Sequence, residues 1–294
     1  MKTLIDLVRH GWASLRLLLV FTVVLGVGYP LLITAAAQLP GLKAAADGSL
    51  LTSDGRPVAS ALIGQNFTDS KGNPLPQYFQ SRPSAAGTAG YDPTATSASN
   101  LGPESIEDVL ADPSDPGSGR ASLLSQVCAR SLAVGKLEGV DGSRPFCTPD
   151  GVGAVLAVFW SQPNYTGRIT QVVSVNQVSP ATPFLARYRG VAVQLARYGQ
   201  DYRAAQLVPI RGDAPSHPVV PADAVTASAS GLDPDISPAY AALQVRRVAR
   251  VRGMSVKRVE DLVSRFTTVR ALGFMGEPVV NVVKLNLALD RSGQ

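Results

Sequence analysis

The sequence is short of the residues on which most enzyme chemistry rests. Its two histidines, His10 and His217, stand far apart. A Ser-His-Asp arrangement would have to use His217, which is squeezed between Ser216 and Pro218 in a run of turn formers. The only cysteines, Cys128 and Cys147, are too few for a multi-cysteine zinc site or a dense disulfide framework. Joined, they would close a loop of about 20 residues, worth roughly 3 kcal/mol; two independent buried thiols are the other reading. No phosphate-binding P-loop is present, and Asp150-Gly151-Val152-Gly153 begins like a dinucleotide turn only to place Leu156 where the third glycine belongs. An aspartyl-phosphate motif is missing, and no pair of carboxylates stands out for acid–base work. Charge is also scarce: 17% of residues are Asp, Glu, Lys or Arg, against about 25% in soluble domains. The net charge of +5 is spread too thinly to point to nucleic acid.

What the chain has instead is apolar surface, 45% of its 294 residues, with a mean hydropathy of +0.12. Much of it lies in Leu17 to Leu39, which carries no charge. That stretch makes roughly 35 Å of helix against a hydrocarbon core of about 30 Å. Lys2, Arg9 and Arg16 precede it, opposed only by Asp6, so the positive-inside bias predicts a cytoplasmic N-terminus (1–16), one transmembrane helix (17–39) and an extracytoplasmic remainder. A cleaved secretory signal is the rival, with Ala35-Ala36-Ala37 as its cleavage site. A lipoprotein anchor is excluded because no cysteine lies near the segment. Pro30 is expected to kink the helix or end its first half. Gly26 and Gly28 would leave a groove for a partner helix, unless they are merely the glycines common in membrane spans.

Beyond Lys43 the patterns mix, which predicts an α+β domain. Turn signals flank short strands near 50–52 and 58–63. Gln77 to Asn100 reads as an ordered loop pinned by Tyr78, Phe79 and Tyr91. Helices are expected over 121–134, 182–198, 238–253 (capped by Ser237) and 256–266 (capped by Ser255). Strands are expected over 152–160, 169–178 and 278–289, the last from its alternation of Val279, Val283, Leu285, Leu287 and Leu289. Arg246, Arg247, Arg250 and Arg252 crowd one helix and read as a solvated face or as a docking face for acidic loops or lipid head groups. Asn66-Phe67-Thr68 matches a glycosylation sequon, a weak signal at three residues.

Six segments resemble one family. Gly28-Tyr29-Pro30-Leu31, ALIGQNF at 61–67, YFQSRPSA at 78–85, GYDPTATSASNLGP at 90–103, VTASASGLDPDISP at 225–238 and GFMGEPVVNVVKLNLALD at 273–290 follow the order found in the C subunit of the Kdp potassium-transporting ATPase. On that resemblance 43–103 and 216–294 form the family core, and 104–215 is a large insertion holding both cysteines. The resemblance implies a single-span accessory subunit in the cell membrane, partnered by a channel-like A subunit, a P-type ATPase B subunit and a small F subunit. It implies that ATP and K+ are handled by the complex, with no cofactor of this chain's own, and that the subunit acts as a catalytic chaperone raising the ATP affinity of the B subunit. Ser228, Ser230 and Gly231 fall in the serine- and glycine-rich segment that the family links to ATP. Direct nucleotide contact conflicts with an extracytoplasmic domain, so the expected route is indirect. Gln65, Asn66, Tyr78 and Arg82, with Gly26, Gly28 and Pro30 in the span, are the candidate partner contacts. An anchored serine hydrolase and a secreted binding protein are the alternatives.

Overall fold

The computed structural model describes residues 2–95 and 104–292, with side chains from Ile5 onward. The end of the fourth family segment, 96–103, lies outside them. Two units divide the chain, residues 1–62 and 63–294.

The first unit opens with α1 (Lys2–Val23), a five-residue π turn (Val24–Gly28), α2 (Tyr29–Ala37) and the single turn α3 (Lys43–Ala46). Ile5–Ala37 is, among the described residues, the one helix long and apolar enough to cross a membrane. The expected stop at Pro30 does not occur. Gly28 and Tyr29 keep helical angles (φ −62° and −63°), and the Tyr29 N–H donates to Val24 O, five residues back. A proline lacks the N–H and crowds the carbonyl four residues earlier; the wider turn absorbs both defects and lets the helix continue. Gly26 and Gly28 both lie in this π turn, where an added Cβ would meet nothing nearer than Thr22 Cγ2 at 3.8 Å and Val23 O at 3.6 Å. A hairpin of β1 (Leu50–Ser53) and β2 (Arg56–Ser60) closes the unit.

The second unit is mixed α and β. Helix α4 (Leu123–Glu138) starts at Ser122, whose side chain accepts from the Ser125 N–H, and ends at Gly139 in the left-handed conformation. Strands β3 (Val155–Gln162), β4 (Thr166–Ser174), β5 (Arg187–Tyr188), β6 (Val191–Leu195) and β7 (Gln206–Pro209) form one sheet in the order β5-β6-β4-β3-β7. Val155 and Ala157 face one apolar cluster, Leu156 and Val158 another. Burial on both faces explains why this strand is an unbroken apolar run. Then come β8 (Asp235–Ile236), α5 (Pro238–Arg252), α6 (Val256–Arg265), β9 (Thr267–Thr268), β10 (Val279–Asn281) and α7 (Val282–Ser292). Their sheet runs β8-β10-β9, and Ile236, Val245, Val248, Val259, Val280 and Leu285 share the largest core. Ser237 and Ser255 cap α5 and α6 as the sequence predicts, accepting from Tyr240 N and Arg258 N.

Two expected elements are different in kind. The helix over 182–198 is instead the hairpin β5–β6. Arg189 and Gly190 both take positive φ (47° and 86°), the two-residue turn that suits a twisted hairpin, and Val191 and Val193 favour strand. The strand over 278–289 lasts only three residues before α7. Val282, Leu285, Asn286 and Leu289 are buried together, a spacing of three, four and seven that belongs to a helix. Asn281 Oδ1 accepts from Lys284 N at 3.0 Å, a helix start hidden inside what looked like alternation.

Candidate functional site

Helices α5 and α7 close on one piece of irregular backbone, residues 76–80, a turn that belongs to no sheet. Apart from the turn bond from Tyr78 N to Leu75 O at 3.2 Å, its backbone bonds go to side chains. Asn286 of α7 donates Nδ2 to Phe79 O and accepts from Phe79 N, both at 2.9 Å. Gln244 of α5 does the same for Gln80, donating to its O at 3.1 Å and accepting from its N at 2.6 Å. Two buried amides thus stand in for two neighbouring strands, satisfying groups that burial would otherwise leave costly. Phe79 between them is fully buried.

Arg247 completes the clamp. Its Nη1 donates to Pro76 O at 2.5 Å and Tyr78 O at 2.9 Å, and its Nη2 to Gln244 Oε1 at 2.9 Å. Its Nε meets both Glu138 oxygens at 3.0 and 3.1 Å. The pair is deeply buried, with 3% and 1% of the two side chains exposed. Burial pushes the Glu138 carboxyl above its ordinary range, and Arg247 pulls it back. The four arginines of α5 are therefore neither one solvated face nor one docking face. Arg247 is internal, Arg252 donates to Gln77 O at 2.6 Å and Asp290 at 2.8 Å, and only Arg246 and Arg250 are exposed.

The predicted site residues lie around this clamp. Tyr78 donates its hydroxyl to Asp290 at 3.2 Å, lies 4.9 Å from the Arg252 guanidinium and packs beside Phe67. Burial, then the Asp290 charge, raises its phenol. Arg82 Nη1 pairs with Asp233 at 2.9 Å, and its other nitrogens reach Thr226 O. Gln65 O accepts from Ser81 Oγ at 2.8 Å, and Asn66 donates its amide to Ala89 O. Tyr91 donates to Arg82 O at 2.7 Å, and burial pushes its hydroxyl up to about 12.

The serine- and glycine-rich segment is stitched to the same loops. Gly231 has φ +70°, and a Cβ there would stand 2.7 Å from Ala86 Cβ and 2.8 Å from Ala86 N. Its O accepts from Ser84 Oγ at 2.6 Å. Its N–H goes to Ser228 Oγ at 3.0 Å, and the Leu232 N–H to Ser230 Oγ at 3.2 Å. Two of the turn's backbone donors are thus taken up by its own serines. Arg82, Gln65, Asn66, Ser228, Ser230 and Gly231 form one neighbourhood; Gly26, Gly28 and Pro30 lie in the other unit.

Cys128 and Cys147 are joined as a disulfide with 5.5 Å between their Cα atoms. Residues 104–215 are tied to the motif-bearing part by the Glu138 pair, by Arg130 donating to Val225 O at 3.0 Å and by Arg144 donating to Val220 O at 2.5 Å. A cleft of about 760 Å³ elsewhere, lined by Glu107, Asp108, Arg120 and Tyr198, includes none of the predicted residues. His217 is exposed in a loop. No cluster of three or more His, Cys, Asp or Glu suited to a metal occurs among the described residues. Sequence reading missed Gln244, Asn286, Asp233 and the Glu138–Arg247 pair. The available signal was a polar residue on an apolar helical stripe: Gln244 is three and four residues from Ala241 and Tyr240, and Asn286 four from Val282.

Residues 11–111 and 159–291 match the family described as KdpC: K+-transporting ATPase, c chain. The chain is similar to the potassium-transporting ATPase KdpC subunit of Kineococcus radiotolerans, 37% identical over 286 residues, covering 97% of this chain and 95% of that one. The corresponding subunit of Gemmatimonas aurantiaca is 35% identical over 284 residues, covering 97% and 94%. That of Methylococcus capsulatus is 34% identical over 284 residues, covering 97% and 98%.

Proposed function

The chain belongs to the KdpC family of K+-transporting ATPase c chains, and from that membership we propose that it is a membrane-anchored, non-catalytic subunit of an ATP-driven potassium uptake pump. Its partners are the channel-like A subunit, the ATPase B subunit and the small F subunit. The helix Ile5–Ala37 is the anchor, with its basic end in the cytoplasm and the second unit outside. The family match runs through 104–111 and 159–215, so the insertion expected over 104–215 shrinks to an elaboration at 112–158, the part that carries both cysteines.

The chain raises the ATP affinity of the pump indirectly, by holding the other subunits in a competent arrangement. The observation that carries this reading is the closed turn at 228–232, whose N–H donors at Gly231 and Leu232 are bonded to its own serines. Such a turn is a spacer between packed loops and offers a triphosphate little to bind.

Growth on micromolar potassium tests the reading. Cells lacking only this chain should fail to grow, and the chain supplied in trans should restore growth. The purified full chain should hydrolyse no ATP; turnover by it alone defeats the proposal. Protease added outside intact cells should digest the second unit, and protection there would reverse the orientation. Mass spectrometry of the mature chain should find residues 5–37 retained.

A further inference from the structure

Residues 268–277 are exposed without a break. They form the loop of a hairpin whose stem pairs Thr268 with Val279 and Thr267 with Val280. At its apex Val269, Leu272, Phe274 and Met275 are 75%, 82%, 73% and 53% exposed. Four large apolar side chains within seven residues are not the scattered single exposures usual on a soluble surface.

The loop is also shaped. Ala271 and Met275 exchange two backbone hydrogen bonds at 2.9 Å each. Leu272 itself takes φ +54°, beside Gly273 at +79°. A branched apolar residue in the left-handed region is rare, and it persists only where the surrounding bonds over-determine it. At the base, Arg270 pairs with Glu277 at 2.7 Å.

We infer that this hairpin is a plug that seats Leu272 and Phe274 in an apolar pocket on another protein subunit of the pump. The inference rests on the proposed subunit role. Two features select a protein over a lipid surface. A bilayer imposes no demand on backbone shape, whereas this apex is pre-organised, which lowers the cost of fitting one receptor. Attraction to anionic head groups needs uncompensated cations, and the loop's one cation is neutralised by Glu277. The loop projects, so the hollow belongs to the partner. Aromatic and aliphatic anchors of this kind dominate binding when a desolvated pocket receives them.

The test uses the full chain expressed together with the other pump subunits. A benzophenone amino acid placed at Phe274 should cross-link on illumination to one pump subunit. The same group at the exposed Thr170 should not. Leu272→Asp combined with Phe274→Asp should lower the pump protein recovered with the chain at least threefold, with its unfolding midpoint unchanged. Cross-linking at Phe274 to lipid alone would make the loop a membrane contact and overturn the inference. So would no cross-link while pump subunits still co-purify; that result leaves the subunit role standing. Recovery of no pump subunit with the unmodified chain would remove the subunit role and the plug together.

Discussion

The clamp around residues 76–80 and the hairpin at 268–277 both lie in or beside family-like segments, yet they use their residues in opposite ways. In the clamp, polar groups turn inward: Gln244, Asn286 and Arg247 bond backbone and one another in the core. In the hairpin, apolar groups turn outward, with Leu272 82% exposed. Membership of a recognisable segment therefore says nothing about whether a residue makes the fold or meets a partner. Burial and hydrogen-bond accounting separate the two. Polar side chains that looked like candidate contacts, Arg82 and Asn66 among them, are bonded within the chain, while the hairpin presents apolar ones.

This contrast is open to attack by substitution. Arg247→Ala should be the most damaging, because it strands the Glu138 carboxylate in the core along with the carbonyls of Pro76 and Tyr78. A loss of about 3–5 kcal/mol in urea unfolding is expected. Asn286→Ala leaves Phe79 N and O without partners and should cost on the order of 2 kcal/mol by the same assay. Gly231→Ala combines a left-handed backbone with a clash against Ala86, and should cost about 1–2 kcal/mol. If it instead left stability intact while abolishing pump function, the segment's role would lie in binding rather than packing.

The smallest expected effect is a pH dependence. The Glu138 carboxyl is raised in the folded chain by burial. A raised carboxyl contributes stability that is fully present below its unfolded value and is lost as pH rises through its folded value. Glu138→Gln removes that titration. The stability of the wild type relative to this variant should therefore fall as pH rises from below 4.5, the ordinary value, through the folded one. Parallel stability curves for the two proteins would mean that Arg247 fully offsets the burial.

The local signals of the sequence carried a good part of this architecture. The apolar helix, the serine caps of α5 and α6, and the buried strand β3 each follow from a pattern within one continuous stretch of chain. Three kinds of information were not local. The strand expected over 278–289 failed because Val283-Lys284-Leu285-Asn286-Leu287 satisfies period two, while Asn281 was acting as a helix cap. The expected helix over 182–198 failed because Arg189 and Gly190 make a turn that composition does not announce. The clamp was invisible because its partners are 164 and 207 residues apart in the chain. Of the candidate site, Tyr78, Arg82 and the glycine at 231 were legible as residues, but not their partners Asp290, Asp233 and Ala86.

The most direct measurement of the contrast is the pump protein recovered per folded chain for Phe274→Asp set beside Asn286→Ala. Phe274→Asp should keep the wild-type unfolding midpoint and lose recovery at least threefold. Asn286→Ala should lower the midpoint and keep wild-type recovery per folded molecule. The reverse pattern, with the hairpin variant fully assembled and the clamp variant stable but unassembled, would contradict the division of labour drawn here.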